Sequence, residues 1–347
     1  MKRKIKNILL FIPGFQGLCR LLTAKHVRVL MYHRFSVNKV ASQRYVDIST
    51  LREQLNYLRR YHPNWLPDDQ IAALDGLRKW ESCPVVITTD DGYCDFHDIG
   101  LPIFREFGLK PVLFVTINFV EQRTLLWWDW LRVLLTKTAK ESLQLILHDK
   151  VVDLSLKSEE ERVLAWDVIA DHCRFMPHDK KEEFLHEIAA ELVVVPGEIK
   201  DESCQAASWD QIVAMAESEV VIGAHTLSHP ILSRMDDERA QEEILGSKQQ
   251  LEQRLQTSVD WFCYPQGGPA DYTNETKKCV EQAGFKGSYI AYQALDCDRY
   301  SLPRYCITED MLDFIWCLCG AEFLVLQLRR YIGRPADLGD AYWRGVG

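Results

Sequence analysis

The chain has no C-x-x-C pair among its eleven cysteines, no internal repeat and no low-complexity stretch. The first absence removes zinc ribbons and thioredoxin-like redox sites, which need paired thiols at that spacing. The cysteines stand singly, apart from Cys317 and Cys319. An odd number of scattered thiols fits a reducing compartment, where they act as small buried hydrophobes. Positive charge is also short. Lys and Arg number 41 against 50 Asp and Glu, for a net charge of −9. The chain therefore lacks the basic surface that a nucleic-acid binder needs. Neither terminal apolar stretch makes a convincing membrane-spanning helix, which takes about 20 apolar residues. Lys2, Arg3, Lys4 and Lys6 precede an apolar stretch from Ile8 to Phe15, as in a signal peptide. However, Pro13, Gly14, Gln16 and Gly17 break that stretch, and no small-x-small cleavage site follows. We read residues 1–26 as a retained basic and apolar segment.

What is present suits a folded enzyme. A chain of 347 residues that is 47% hydrophobic can bury one large α/β domain with insertions, or two small domains. Val27 to Tyr32, Pro84 to Thr89 and Pro111 to Thr116 are apolar and read as buried strands. Ile48 to Tyr61 carries Leu51, Leu55 and Leu58 at helical spacing, with Ser49 or Thr50 to cap it. From about 121 to 206 the pattern changes to long helix-like runs, such as Trp130 to Leu147 and Lys180 to Val193. We read this as a helical insertion. Strand signals return at Val220 to Gly223 and Val259 to Tyr264, on either side of a charged amphipathic helix from Asp236 to Leu255. Strands alternating with helices predict a mainly parallel sheet, whose active groups gather at the carboxyl ends of the strands. Residues 311–347 form a C-terminal helix and tail, with an apolar run from Met311 to Leu328 that carries only Asp313 and Glu322.

Two polar clusters sit at such strand ends. In Thr88-Thr89-Asp90-Asp91-Gly92, adjacent carboxylates follow an apolar strand, which repulsion disfavours unless a cation or donors compensate. Gly92 lets the backbone turn, so one Asp can ligate a metal while the other stays free as a base. A solvated Asp-Asp-Gly turn is the plainer reading of that motif alone. In His225-Thr226-Leu227-Ser228-His229-Pro230, the H-x3-H spacing puts two imidazoles on one side of a turn, which suits a divalent metal. Two unrelated loop histidines would look the same. Together, two His and one Asp make a three-ligand site with open positions, the mark of a catalytic metal.

These motifs resemble those of the NodB-homology polysaccharide deacetylases, carbohydrate esterase family 4. TTDDG is similar to the first motif, T-F-D-D-G, and HTLSHP to the second, H-S/T-x-x-H-P. Tyr264-Pro265-Gln266-Gly267 is similar to the third. The order agrees from Val27 to Ile307. The resemblance implies an α/β fold, a distorted (β/α) barrel with a helical insertion, spanning residues 27–310. It implies hydrolysis of N-acetyl groups on an amino sugar of a glycan or glycolipid precursor. It matches Asp91, His225 and His229 to metal ligands for Zn, with Co, Ni or Fe also suited. Asp90 matches the general base. The backbone N–H of Gln266, beside Tyr264, matches the donor to the oxyanion, a role worth on the order of 3 kcal/mol.

The sequence departs from the pattern in three places. No histidine follows His229, so the usual C-terminal acid is missing. One subset of the family carries that histidine near the N-terminus in a Tyr-His segment, and Met31-Tyr32-His33-Arg34-Phe35 resembles it. We assign His33 as the acid. Cys263 stands where an arginine often pairs with the base, which leaves Arg304 for that task or for a bracing ion pair. The fourth motif, with its pocket tryptophan, is not recognisable. Trp127, Trp128 and Trp130 around Asp129 either stack on sugar or fill a core. An O-acetyl esterase, an inactive carbohydrate-binding relative and a scaffold in a membrane assembly stay open as alternatives. The expected partner is an acetylated amino-sugar glycan or lipid-linked saccharide, with no nucleic acid. The terminal segments suggest peripheral contact with the cytoplasmic face of the inner membrane.

Overall fold

The computed structural model describes residues 3–40, 45–122, 125–195, 204–218 and 220–335. The strands among them are β1 (Arg28–Tyr32), β2 (Arg34–Ser36), β3 (Tyr45–Asp47), β4 (Val85–Thr89), β5 (Pro111–Val115), β6 (Ser142–Leu147), β7 (Lys150–Ser155), β8 (Val221–Ala224), β9 (Trp261–Cys263), β10 (Gly287–Tyr289) and β11 (Tyr305–Cys306). Seven of these form one sheet in the order β10-β9-β8-β5-β4-β1-β11, every pair parallel. Each residue of β1, β4 and β5 is buried. Strands covered on both faces read as continuous apolar runs, which is why the sequence reveals them. The sheet curls. Leu302 bridges Tyr289 beyond one edge, and three residues later Tyr305 and Cys306 pair with Leu30 and Met31 at the other. The result is a distorted (β/α) barrel of the NodB type, with the carboxyl ends of its strands at one rim.

Local chemistry shifts several predicted boundaries. The helix Ile48–Tyr61 forms as expected, but its cap is Asp47, whose carboxylate accepts from the N–H groups of Ser49 and Thr50. A carboxylate at that position also meets the positive end of the helix. The insertion is not purely helical. Its helices Trp127–Lys137, Glu159–Phe175 and His178–Glu191 pack with the antiparallel hairpin β6–β7 around a core of their own that includes Leu134, Leu145, Ile169 and Ile188. In β6 exposed and buried residues alternate, a period of two. The hairpin turns at His148 and Asp149, both with positive φ, as a tight two-residue turn demands. The run from Met311 to Leu328 is likewise two helices, Met311–Leu318 and Ala321–Tyr331, bent by 63°. Gly320 makes the bend at φ 88°, and a Cβ there would lie 2.0 Å from Thr23 Oγ1. The N-terminal segment forms helices Arg3–Phe11 and Phe15–Leu22. They pack on the C-terminal pair through Leu10, Cys19, Trp316 and Cys319.

Candidate active site

The carboxyl ends of β1, β4, β8 and β9 bring His33, Asp90, Asp91, His225, His229, Tyr264 and Gln266 around one small cavity of about 20 Å³, where Arg304 joins them from the segment before β11. Asp91 Oδ1 lies 3.5 Å from His225 Nε2 and 3.4 Å from His229 Nε2. Bonds of about 2.1 Å in a tetrahedral arrangement set neighbouring ligand atoms roughly 3.4 Å apart. Each imidazole thus lies from Asp91 at the spacing a small divalent ion requires, and all three ligand atoms fall within 4.8 Å of one another. His225 is fixed for that task by its Nδ1, which lies 2.8 Å from the Cys263 carbonyl and leaves Nε2 facing Asp91. Burial, with the neighbouring His229, pushes His225 down to about 4, so its imidazole is neutral and able to ligate. The donor set fits a metal.

Asp90 is held differently. The Arg304 guanidinium grips it through two bonds of 2.7 Å, one to each oxygen. Arg304 also donates to Thr88 Oγ1 at 3.0 Å and to the Ile290 carbonyl at 3.1 Å. Burial alone would raise the Asp90 carboxyl, but Arg304 outweighs it and holds the group well below the usual carboxylate range. Cys263 Sγ lies 2.9 Å from the same guanidinium. Arg304, from the segment before β11, thereby meets Asp90 where the third motif offers only a thiol. Tyr264 lines the cavity, yet its hydroxyl donates to the Tyr300 carbonyl at 3.1 Å and accepts from Ser288. Its phenol is committed to the sheet, away from the reacting centre.

Backbone strain concentrates at this rim. Asp91, Thr226, His229 and Gln266 all have positive φ, between 59° and 78°. Such conformations cost about 1–3 kcal/mol each and persist only where surroundings enforce them. The enforcing contacts are specific. Glu243, on the helix Asp237–Leu255, accepts from the N–H groups of Leu227 and Ser228 and from the Ser228 hydroxyl, at 2.6–2.9 Å. Asn118 and Ile117 donate to the carbonyls of Leu227 and Thr226. Gly267 stacks so tightly on the next loop that a Cβ would lie 2.9 Å from the Ala291 nitrogen. Sequence reasoning missed Glu243, because one acid on a charged helix carries no distinguishing signal.

The polysaccharide deacetylase family model matches residues 183–288, the stretch that holds both ligand histidines and the third motif. Over those residues the chain is similar to polysaccharide deacetylases. Solved structures agree in fold. The Streptococcus pyogenes deacetylase PplD, in complex with acetate, aligns with a TM-score of 0.56 and 16% identity, over 84% of this chain and 97% of that one. IcaB from Ammonifex degensii gives 0.56 and 17%, over 85% and 97%. The de-N-acetylase from Aggregatibacter actinomycetemcomitans gives 0.50 and 13%, over 82% and 96%. No curated protein sequence matches the chain.

The wall over the cavity is Trp128, from the first helix of the insertion. Its ring stands edge-on to His229, with centroids 4.7 Å apart. Its indole N–H donates to Tyr93 Oη at 2.9 Å, and Tyr93 donates in turn to Asp129 Oδ2 at 2.5 Å. Arg34 sits 3.8 Å above the Tyr93 ring and bonds Asp95 at 2.6 Å. Trp127 and Trp130 pack against the insertion core instead. Beyond Trp128 the molecule opens into a cleft of about 1710 Å³ that shares His33, Asp91, Trp128 and Arg304 with the small cavity. That volume exceeds a single-sugar pocket, since small-ligand sites span roughly 300–1,000 Å³.

Proposed function

We propose that this enzyme is a metal-dependent N-deacetylase acting on an amino sugar of a glycan or glycolipid precursor. One observation carries the reading: a closely gathered Asp91–His225–His229 set stands beside a second carboxylate, Asp90, clamped by Arg304. Two imidazoles and a carboxylate suit Zn²⁺, with Co²⁺, Ni²⁺ or Fe²⁺ also compatible. Such an ion supplies Lewis-acid polarisation and a more acidic water. Asp90, ionised by its arginine, accepts the proton of the attacking water. Gln266 offers its backbone N–H to the oxyanion. His33 protonates the departing nitrogen, and an amine departs poorly without that proton. An acid at the cavity therefore favours amide over ester substrates. The free state of all eleven cysteines supports a reducing compartment. We place the work at the cytoplasmic side of the membrane, on a lipid-linked saccharide.

The test is acetate release from N-acetylated and O-acetylated oligosaccharides, with and without chelator. We expect N-acetyl hydrolysis to fall at least 100-fold on chelation and to return with Zn²⁺. Hydrolysis indifferent to chelation would overturn the metal. Release from O-acetyl sugars alone would replace the amidase reading with an esterase.

A further inference from the structure

Three neighbouring helices at the end of the cleft expose the same pattern. On and just after Arg3–Phe11, the exposed apolar residues include Ile8, Phe11 and Ile12, at 66%, 81% and 47% accessibility. On Phe15–Leu22 they are Leu18, Leu21 and Leu22, and at the end of Ala321–Tyr331 they are Leu328, Tyr331 and Ile332. Each triplet is spaced i, i+3, i+4, so each helix turns one apolar stripe outward. The opposite stripes are used: Leu10 and Cys19 are buried against Trp316 and Ala321. Helix Phe15–Leu22 touches both other helices, and we treat their three neighbouring stripes as one plate. A monomer rarely leaves so many large apolar side chains together in water.

Charge identifies the occupant. No acidic residue precedes Asp47, whereas ten Lys and Arg do, in a chain whose net charge is −9. Lys4, Lys25 and Arg334 are exposed on or beside the plate, and Arg330 there pairs with Asp296 at 3.0 Å. The acids near it are engaged: Asp310 with Arg3, Asp313 with Lys6, and Glu322 with the Trp316 indole. An apolar face fringed by cations matches an anionic bilayer surface, where apolar stripes sink to the acyl boundary and cations meet headgroups. Among the described residues no single helix is long and apolar enough to cross a membrane, and the terminal pairs are bent by 96° and 63°. A broken plate suits lying in an interface.

The plate also belongs to the cleft. Lys6, Asp313, Cys317 and Glu322 line the same cleft that reaches His33 and Asp91. We propose that the three-helix plate is a docking surface for anionic lipid, and that it sets the cleft against the bilayer. A saccharide still attached to its lipid then enters from the membrane side. This last step rests on the deacetylase reading, while the docking surface does not.

Co-sedimentation of the full chain with vesicles tests it. Wild-type protein should bind phosphatidylglycerol/phosphatidylcholine vesicles at least 10-fold more tightly than pure phosphatidylcholine, with binding weakened by salt. The variant Phe11→Ser/Leu21→Ser/Tyr331→Ser should lose at least 10-fold of that binding. It should release acetate from a soluble acetylated oligosaccharide at the wild-type rate, which shows that it is folded. Lys4→Glu/Arg334→Glu should weaken vesicle binding without touching the apolar face. Equal binding to both vesicle types would overturn the proposal. So would retained binding by the serine variant, or wild-type self-association that the serine variant abolishes while vesicles remain unbound. Failure on vesicles with intact acetate release refutes the plate alone. Vesicle binding without acetate release refutes the deacetylase alone.

Discussion

Two adjacent aspartates have been given different work by their surroundings. Asp91, at φ 78°, faces two imidazoles, while Asp90 faces a guanidinium across two 2.7 Å bonds. Substituting them should therefore separate two measurements. Asp91→Asn should lower metal content, because it removes one of three protein ligands. Asp90→Asn should keep the metal and lose turnover by a factor of about 10²–10⁴, the usual worth of a positioned base. His33→Ala should also keep the metal. It should slow amide hydrolysis by at least 100-fold and an activated acetyl ester far less, since a good leaving group needs no proton. Metal analysis and parallel rates on both substrates read all three variants. Equal losses on ester and amide would remove His33 from the acid role. Most of these side chains were legible in the sequence, because paired acids after an apolar run and an H-x3-H turn are unusual. Arg304 was legible only as one of two options, since nothing in Leu302-Pro303-Arg304 shows that the curl of the sheet returns it to Asp90. Glu243 and Tyr93 were not legible at all: their roles depend on contacts between elements far apart in the chain.

At the level of elements, five of the seven sheet strands were legible, β10 and β11 were not, and the helices were read less well. A continuous apolar run is decisive for a strand covered on both faces. Helical and strand spacing are confused where leucines recur, as in Ser142–Leu147, and only the alternation of exposure separates them. The break at Gly320 was hidden for a similar reason, because glycine inside an apolar run reads as a tolerated helix residue. The bend it makes is tied to a buried cation. Arg28 donates to the Leu318 carbonyl at 3.2 Å, at the end of helix Met311–Leu318, and to the Thr23 carbonyl at 2.8 Å. Carbonyls at a helix C-terminus carry partial negative charge, so they are suitable partners for a guanidinium. Gly320→Ala puts a methyl into Thr23 and Arg28 and forces positive φ on a residue that resists it. We expect a loss of about 2–4 kcal/mol from overpacking and strain together. Denaturant unfolding measures it, and a change below about 0.5 kcal/mol would mean that the neighbours give way at no cost.

The molecule as a whole carries buried histidines far from the site, and they set its acid tolerance. Burial holds His62 at about 4 and His26 at about 3, against an ordinary value of 6.5. Above pH 6.5 neither state binds the proton, and stability is full. Below it the unfolded chain takes up protons that the folded chain refuses, so stability falls until the folded values are reached. Each histidine contributes up to about 1.4 kcal/mol per pH unit in that window. Urea unfolding at pH 7.5 and pH 5 should show the decline, and replacing both residues by glutamine should flatten it. An unchanged slope in the double variant would assign the acid loss to other groups. The wall over the site has its own consequence at this scale. Trp128 comes from the inserted unit, which has a separate core, whereas His33, Asp90, Asp91, His225, His229 and Arg304 all come from the barrel. A refolding chain can thus gather its ligands before the lid settles over them. Such a half-built molecule would take up an ion yet leave the centre open to bulk water. Bound metal then counts every barrel that has closed, while turnover counts only those whose second core has settled onto the first.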